Sequence, residues 1–480
     1  MIFSSQVFIF GFAPLAIGIY WLLPQRWRLL WLVIASYVFY AWADWRFCLL
    51  MLTTTVVDFV AAQMMGRLGG GAGLRAGQLA GTESRATNAQ RRAWLIFTLC
   101  INLGLLGFFK YAGFFARSFN ALFAVLHQPS QIPVVELVFP VGISFYTFVS
   151  LGYSIDVYRR AVKPTRDFIQ YAAYVSMFPH LVAGPIIRWR EMGDQLAHIP
   201  RRLASDQAAL GLLFFAAGLI KKVLIADRLA YYVDPLWTDY THLSMVEAWA
   251  AALGYGLQVY FDFAGYSLMA VGLGLLLGLR LPQNFNAPYR AADIADFWHR
   301  WHMTLSTWLR DYVFLSIGGL KLDRRYFALF ATMVIAGLWH GANWTFVLWG
   351  AYHGALLVMH HGLRARKVKW HGGWPGRIGT LLLVTLGWVL FRAQTFHIAA
   401  TVYRELFALQ TLAQNPRIPK GFWPICLVAL LWAVLAPSAY DAWLNKSQRP
   451  RRLAVVALGL LAAAAILLLT QSSPFLYYQF

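Results

Sequence analysis

The sequence predicts an all-α, polytopic membrane protein. Of its 480 residues, 59% are hydrophobic and only 13% are charged, and the mean hydropathy is +0.54. Apolar stretches suited to a hydrocarbon core of about 30 Å recur along the chain, and short basic segments separate them. This composition excludes a soluble globular domain.

The apolar stretches predict about 11 to 13 transmembrane helices, together with re-entrant or interfacial helices. The first stretch, residues 8–23, lacks both the basic start and the small-residue cleavage site of a signal peptide, so we interpret it as a span. The further stretches cover approximately residues 29–42, 47–65, 94–115, 137–157, 210–226, 248–279, 326–339, 344–359, 378–391, 422–435 and 453–469.

The basic residues behind the net charge of +21 lie where they would act as membrane-topology signals, which argues against a nucleic-acid partner. Basic residues form short clusters between the spans instead of covering one amphipathic face. If segments 168–187 and 297–318 are re-entrant or interfacial, every cluster lies on the cytoplasmic face. Both termini then lie outside the cytoplasm, and the expected location is a bacterial inner membrane. The clusters are 26–28, 67–92, 159–166, 188–202, 364–369 and 446–452.

The chain is predicted to form a single integral-membrane domain over residues 1–480. Residues 66–93 are rich in Gly, Arg, Ser and Thr and predict a cytoplasmic loop, and residues 471–480 predict an extracytoplasmic aromatic tail. The three cysteines lie in apolar stretches without Cys-x-x-Cys spacing, which supports neither a disulfide framework nor a thiolate metal site.

One histidine, His340, is the leading functional candidate. It lies in the run GLWHGANW (residues 337–344), between apolar segments that we expect to be embedded in the membrane. A helix from Arg325 to His340 would rise roughly 22 Å, which carries the imidazole past the bilayer midplane. Ionisable groups at such depth are costly and mark functional sites. The alternative is a packing histidine bound to a backbone carbonyl.

The most polar embedded segment is 293–312, which we interpret as one helix. Its tryptophans, including Trp298, would face one side, and a polar stripe would line a wet or ligand-filled cavity. The stripe contains residues at intervals of four: His302, Ser306 and Arg310. Arg310 and Asp311 are adjacent, so each is expected to find another partner. His299 and His302 could share a metal, but no carboxylate or thiolate cluster completes a shell, and we predict no metal site.

Other embedded polar groups have structural interpretations. Lysines 110, 221 and 222 are expected to extend toward the headgroups, and His353 is expected to pack near the interface. The carboxylates of Asp58, Asp156 and Asp262 are expected to pair with arginines such as Arg188 or Arg310.

The chain ends on aromatic residues, FLYYQF (475–480). An anchor in the interfacial aromatic belt is one interpretation. The other is that the tail carries the phenol hydroxyl of Tyr477 on a short arm that folds back into a cavity.

Several motifs, in order along nearly the whole chain, resemble the membrane-bound O-acyltransferases. The resemblance is to the branch that contains the membrane subunit of bacterial alginate O-acetylation. The motifs are FPVGISFYTF (139–148), IDVYR (155–159), FPHLVAGPI (178–186), YFDFAGYS (260–267), and segments 296–312 and 337–344. The resemblance implies a ring of transmembrane helices around a thinned centre with a central tunnel. A cytoplasmic funnel would admit acyl-CoA, and an opposite funnel would admit the acceptor.

The resemblance also implies residue roles. His340 corresponds to the family's catalytic histidine, and His302 to the second histidine of the polar stripe. Tyr477 corresponds to the tyrosine that is thought to carry the acyl group in related D-alanine export systems, where a similar tail sits on a separate peptide. Predicted substrate and tunnel residues are Asn343, Trp339, Ser306, Arg310 and Trp298.

The predicted function is transfer of an acyl group, most simply acetyl, from cytoplasmic acetyl-CoA through Tyr477. Acetyl-CoA is a co-substrate, and no bound cofactor is expected. Expected partners are a periplasmic acetyltransferase of the SGNH type and a polysaccharide secretion machinery. The acceptor would be an exopolysaccharide such as alginate or cellulose, with peptidoglycan or teichoic acid as alternatives. A flippase of lipid-linked precursors and a scaffold subunit are competing classes. The single His-centred motif and the lack of inverted repeats favour the enzyme over the transporter.

Overall fold

The computed structural model describes residues 1–70, 80–128, 132–135, 137–368, 372–412, 414, 416–445, 452–471 and 476. Across these residues the regular structure is helical and contains no strand, which confirms the predicted all-α class. Five of the described helices are long and apolar enough to cross a membrane, and three shorter apolar helices accompany them. The number of crossings stays a prediction.

The contacts divide the described chain into two compact units. The first comprises Met1, Val7–Ala208 and Gly274–Leu281. Its helices are α1 (Ala13–Leu22), α2 (Gln25–Ala41), α3 (Arg46–Gly70), α4 (Ala80–Val125), α5 (Ile143–Tyr158), α6 (Phe168–Ser176), α7 (Phe178–Leu181) and α8 (Trp189–Ala197). A π-helical turn, Val7–Phe12, leads into α1.

Two predictions for the first unit need correction. The predicted loop 66–93 is largely helical, because α3 continues to Gly70 and α4 starts at Ala80; residues 71–79 lie outside the described part. Among the described residues, the buried carboxylate of Asp58 binds no arginine: its Oδ1 atom accepts hydrogen bonds from Thr98 and, at 2.8 Å, from the Asn102 amide. Both donors are neutral side chains on the neighbouring helix α4.

The second unit comprises Ile2–Gln6, Ala209–Leu273 and Pro282–Phe480. The helices that follow in the chain are α9 (Ser205–Ile220), α10 (Asp227–Thr238), α11 (Met245–Leu276), α12 (Ile294–Arg300), α13 (Met303–Leu309), α14 (Arg325–His340), α15 (Trp344–Ala365), α16 (Gly373–Arg392), α17 (Phe396–Leu406), α18 (Phe422–Leu435) and α19 (Arg452–Leu467). A π-helical segment, Lys221–Ala226, joins α9 to α10.

Glycines let α9 and α11 approach closely. A Cβ atom added to Gly218 would lie 2.5 Å from the carbonyl oxygen of Gly265, and one added to Gly272 would lie 2.6 Å from that of Gly211. Each helix thus supplies two glycines seven residues apart on its contact face, a small-residue pattern typical of tightly packed membrane helices. This contact brings the π-helical segment after α9 against the middle of α11.

Glycines also set the hairpin of α14 and α15. A Cβ on Gly337 would meet the Phe346 carbonyl and approach the Gly350 Cα to 3.0 Å, and a Cβ on Gly350 would meet the Met333 carbonyl. The two helices therefore pack backbone to backbone near the end of α14. This contact fixes the position of the last residue of α14, His340.

Candidate functional site

His340 lies at the turn between α14 and α15. It is the last residue of α14, as the predicted helix 325–340 requires, and its side chain is 4% exposed. Gly341 continues in an extended conformation, and the Asn343 side chain caps α15 by accepting the Thr345 N–H at 3.2 Å. The GLWHGANW run thus combines a packing glycine, a helix-terminal histidine and an N-cap.

Aromatic rings surround the His340 imidazole. Its ring centroid lies 4.9 Å from that of Trp339, 5.2 Å from that of Trp349 and 5.2 Å from that of Phe391. These rings exclude water from much of the imidazole surface. The immediate surroundings of the imidazole are therefore largely apolar.

His302 lies at a break between two helices, and the predicted continuous helix over 293–312 is wrong. Helix α12 ends at Arg300 and α13 starts at Met303. Between them His302 adopts the left-handed conformation, with φ at 44° and ψ at 53°, which is strained for a residue other than glycine. His302 is instead the N-cap residue of α13, and its carbonyl accepts the first helical hydrogen bond, from the Ser306 backbone N–H at 3.0 Å.

A buried amide holds the His302 ring. The Nδ1 atom of His302 lies 3.0 Å from Oδ1 of Asn284, and the same oxygen accepts the Thr304 hydroxyl at 2.9 Å and the Thr304 backbone N–H at 3.4 Å. A backbone N–H can only donate, so the Asn284 atom is the oxygen and His302 Nδ1 must carry its proton. The Asn284 amide nitrogen donates to Ser267 at 3.1 Å.

This tautomer leaves Nε2 of His302 as the unprotonated nitrogen. His302 is fully buried, and Nε2 has no hydrogen-bond partner in the part of the chain that the structure describes. Buried polar atoms are rarely left unpaired. Nε2 of His302 is therefore an oriented acceptor that can take a hydrogen bond from a substrate.

The two histidines belong to one aromatic cluster. The rings of His302 and Trp339 lie 6.2 Å apart, and Trp339 contacts His340. Trp298 joins the cluster through Trp349, at 5.7 Å. The structure thus brings together four residues named from sequence, His340, His302, Trp339 and Trp298.

Two other predicted tunnel residues have protein partners. Arg310 binds the adjacent Asp311 through Nε at 2.7 Å, although neighbours on a helix were not expected to pair. The Asn343 amide nitrogen donates to the Gln394 carbonyl at 2.7 Å. A role for Asn343 as a donor to substrate stays a prediction and requires release of that bond.

The structure adds His353 to the cluster, and its predicted place at the interface is wrong. His353 is fully buried on α15, with ring centroids 5.2 Å from Trp298 and 5.0 Å from Trp349. Neither ring nitrogen has a hydrogen-bond partner among the described residues. The available sequence signal was Gly350 and Gly354, which mark the closely packed face of α15 beside it.

A cavity of about 290 Å³ lies next to the His340 turn. Its lining includes Gly341 and Asn343 after His340, Phe391 in contact with the imidazole, and Arg392. The Arg392 guanidinium lies 5.8 Å from the centre of the Trp237 ring. The cavity has both apolar and polar walls, its arginine pairs with Asp234 at 3.4 Å, and it borders the residues that directly follow His340.

Tyr477 lies outside the described residues, but its neighbour Leu476 is described. Leu476 is 5% exposed, and its N–H donates to Oδ2 of Asp262 at 2.9 Å.

Two predictions for this region are wrong. Asp262 pairs with Lys222 and not with an arginine. Lys222 is 1% exposed, so its side chain does not extend to the headgroups. The close contact of α9 with α11 brings Lys222 and Asp262 together in the interior.

We expect Asn284→Leu to lower turnover about 10- to 100-fold, the usual cost of losing a partner that orients a functional histidine. Leucine removes the oxygen that holds His302 Nδ1–H, so the ring loses both its orientation and its tautomer. Asn284→Asp keeps the acceptor and should recover most of the turnover. The measurement is steady-state CoA release. If Asn284 positions His302, Asn284→Leu changes kcat more than KM. If both variants were as active as wild type, the positioning role would be contradicted.

The chain was compared with known proteins. The sequence profile described as MBOAT, membrane-bound O-acyltransferase family, matches residues 155–370. A probable alginate O-acetylase AlgI of Azotobacter vinelandii is 42% identical over 447 residues, which cover 91% of this chain and 84% of the relative. A protein of the same name from Pseudomonas aeruginosa is 43% identical over 420 residues, 86% of this chain and 76% of the relative. A peptidoglycan O-acetyltransferase of Helicobacter pylori is 34% identical over 444 residues, 85% and 80% respectively.

Proposed function

The chain belongs to the membrane-bound O-acyltransferase family and is a multi-pass membrane acyltransferase, and on that premise we propose that it transfers acetyl groups from cytoplasmic acetyl-CoA to its own Tyr477 for export. The observation that carries the proposal is the buried aromatic cluster that holds His340 and His302 together. It offers two imidazoles in an enclosure from which water is largely excluded.

The first step is attack of the tyrosine hydroxyl on the thioester. His340 takes the phenol proton, the phenol oxygen forms a bond to the acetyl carbon, and the carbon–sulfur bond breaks. The thiolate of CoA leaves and takes the proton from the His340 imidazolium. Charge and protons balance without a further reactant, and the product is an aryl acetate on Tyr477.

His302 is proposed to orient the reacting groups. Its Nε2 accepts a hydrogen bond from the attacking hydroxyl or from the CoA pantetheine amide, while Asn284 holds Nδ1–H in place. Fixing the reacting atoms within a small volume is worth several orders of magnitude in rate. The strained backbone at His302 supports a functional assignment, because such strain concentrates at active sites.

The second step takes the acetyl group to the acceptor. Phenolate is a better leaving group than an alkoxide, so a partner's hydroxyl can attack the aryl ester and return the proton to Tyr477. The cavity beside His340, with Arg392 in its wall, is the proposed exit on the extracytoplasmic side. The proposed partner is a periplasmic acetyltransferase of the SGNH type that works with the polysaccharide secretion machinery.

The proposed final acceptor is an exopolysaccharide, either alginate or cellulose. Two of the relatives above are named as alginate O-acetylases, at 42% and 43% identity. The relative named as a peptidoglycan O-acetyltransferase, at 34% identity, keeps a peptidoglycan acceptor as the second candidate.

Sealed proteoliposomes with acetyl-CoA on one side test the proposed direction of transfer. We expect free CoA to remain on the side of addition, while a hydroxylamine-labile acetyl group appears on the protein. That group should be cleaved by an impermeant esterase supplied on the opposite side. Failure to release CoA from folded protein would overturn the proposal, because flipping an intact lipid-linked precursor consumes no thioester.

A further inference from the structure

Three ionisable side chains form a buried cluster between the π-helical segment and α11. Nζ of Lys222 lies 2.8 Å from Oδ1 of Asp227 and 2.6 Å from Oδ1 of Asp262. All three residues are at most 3% exposed. The cluster is possible because Gly218 and Gly265 bring the backbones of α9 and α11 together at this level.

The cluster holds two carboxylates and one lysine. Buried carboxylates are stable only where enough hydrogen-bond donors reach their oxygens. The backbone N–H of Leu476 is one such donor, at 2.9 Å from Oδ2 of Asp262. A hydrogen bond to an ionised acceptor is about twice as strong as a neutral one.

The hydrogen bond between Leu476 and Asp262 lies close to the candidate site. Asp262 is followed on α11 by Phe263, whose ring contacts His302 edge-on with centroids 4.7 Å apart. On the other side, Leu476 is directly followed by Tyr477. The bond therefore joins the residue before the proposed acetyl carrier to the helical turn that packs against His302.

We propose that Asp262, held by Lys222 and Asp227, is an anchor site for the backbone of the C-terminal tail and positions Tyr477 for acetyl transfer. The ligand of this site is a segment of the chain itself, recognised by a main-chain N–H group. The inference rests on the proposed function, since positioning matters only if Tyr477 reacts. The anchor itself is a structural property that can be measured without any acyl donor.

The test measures tail mobility by electron paramagnetic resonance. A nitroxide label is attached to the full chain at Gln479→Cys, with the three native cysteines replaced by alanine. The wild-type tail should give a slow component. Asp262→Ala should shift it to nanosecond motion, with a correlation time shorter by about tenfold. Asp58→Ala is the matched control, because it removes a buried carboxylate whose hydrogen bonds run to Thr98 and Asn102, and it should leave the spectrum unchanged.

A second pair of variants keeps the test decisive if Asp262→Ala does not fold. Leu476→Pro removes only the donating N–H and should free the tail, whereas Leu476→Met keeps the N–H and the side-chain volume and should not. A tail that is equally immobile in Leu476→Pro, or already mobile in wild type, would overturn the anchor. An anchored tail whose Tyr477 never becomes acetylated would instead overturn the proposed relay and leave the anchor intact.

Discussion

Replacing His340 by alanine is expected to lower CoA release from acetyl-CoA by about 10²- to 10⁴-fold, the range typical of a lost general base. Alanine removes the imidazole that is proposed to take the phenol proton. The loss corresponds to about 3 to 5 kcal/mol of transition-state stabilisation. The effect should fall on kcat, while the affinity for acetyl-CoA stays close to that of wild type.

The measurement is steady-state CoA release by detergent-purified protein, with acetyl-CoA binding followed separately by calorimetry. His299→Ala is the matched control, because His299 is exposed on α12 and is not one of the residues of the aromatic cluster described above. Its turnover should stay within a few-fold of wild type. If His340→Ala retained full turnover, His340 would be a packing residue, and the base would have to be sought at His302 or His353.

Replacing Tyr477 by phenylalanine is expected to abolish covalent acetylation of the protein and acetyl export. Phenylalanine preserves the ring and removes the only atom that can form the ester. Because the change is small and lies in the tail, folding and acetyl-CoA binding should remain as in wild type. The measurement is protein-bound label after incubation with radiolabelled acetyl-CoA.

Tyr478→Phe is the control for this prediction, since it makes the same chemical change at the next residue. It should retain label and export. If Tyr477→Phe retained full acetyl export while His340→Ala lost it, transfer would run directly from CoA to the external acceptor. The relay would then be wrong, although His340 would keep its role as base.

The sequence predicted the parts of the fold that depend on local composition. The apolar helices and the helix that ends at His340 follow from hydropathy. The functional role of that histidine stays a prediction, based on the cost of an ionisable group in the membrane. Trp298 and Trp339 could be assigned to the same site because they lie in the same short motifs as the histidines.

The break at His302 could not be predicted, because its cause lies far away in the chain. The carbonyl of Asn284 accepts the Met303 N–H at 2.8 Å, and the Asn284 side chain holds the ring of His302. These bonds stabilise a left-handed residue where helical periodicity favours continuation. Asn284 itself sits in a loop without any motif that points to His302.

The pairing of the buried charged side chains could not be predicted from the sequence either. Lys222 resembles any lysine near the end of an apolar helix. Its partner Asp227 directly follows the same π-helical segment, but Asp262 comes from α11 and reaches Lys222 only because α9 packs against α11. The glycines responsible are spread through two apolar stretches, where small residues are common. Their matching seven-residue spacing has meaning only once the two helices are known to be neighbours.

Mass spectrometry of the C-terminal peptide tests the account most directly. Purified wild-type protein is mixed with isotopically labelled acetyl-CoA, quenched in acid after a short time, digested and sequenced by fragmentation. The account predicts a labelled, hydroxylamine-labile acetyl group on Tyr477 that is absent from His340→Ala. Release of CoA by wild type with Tyr477 unmodified at every time point would contradict it.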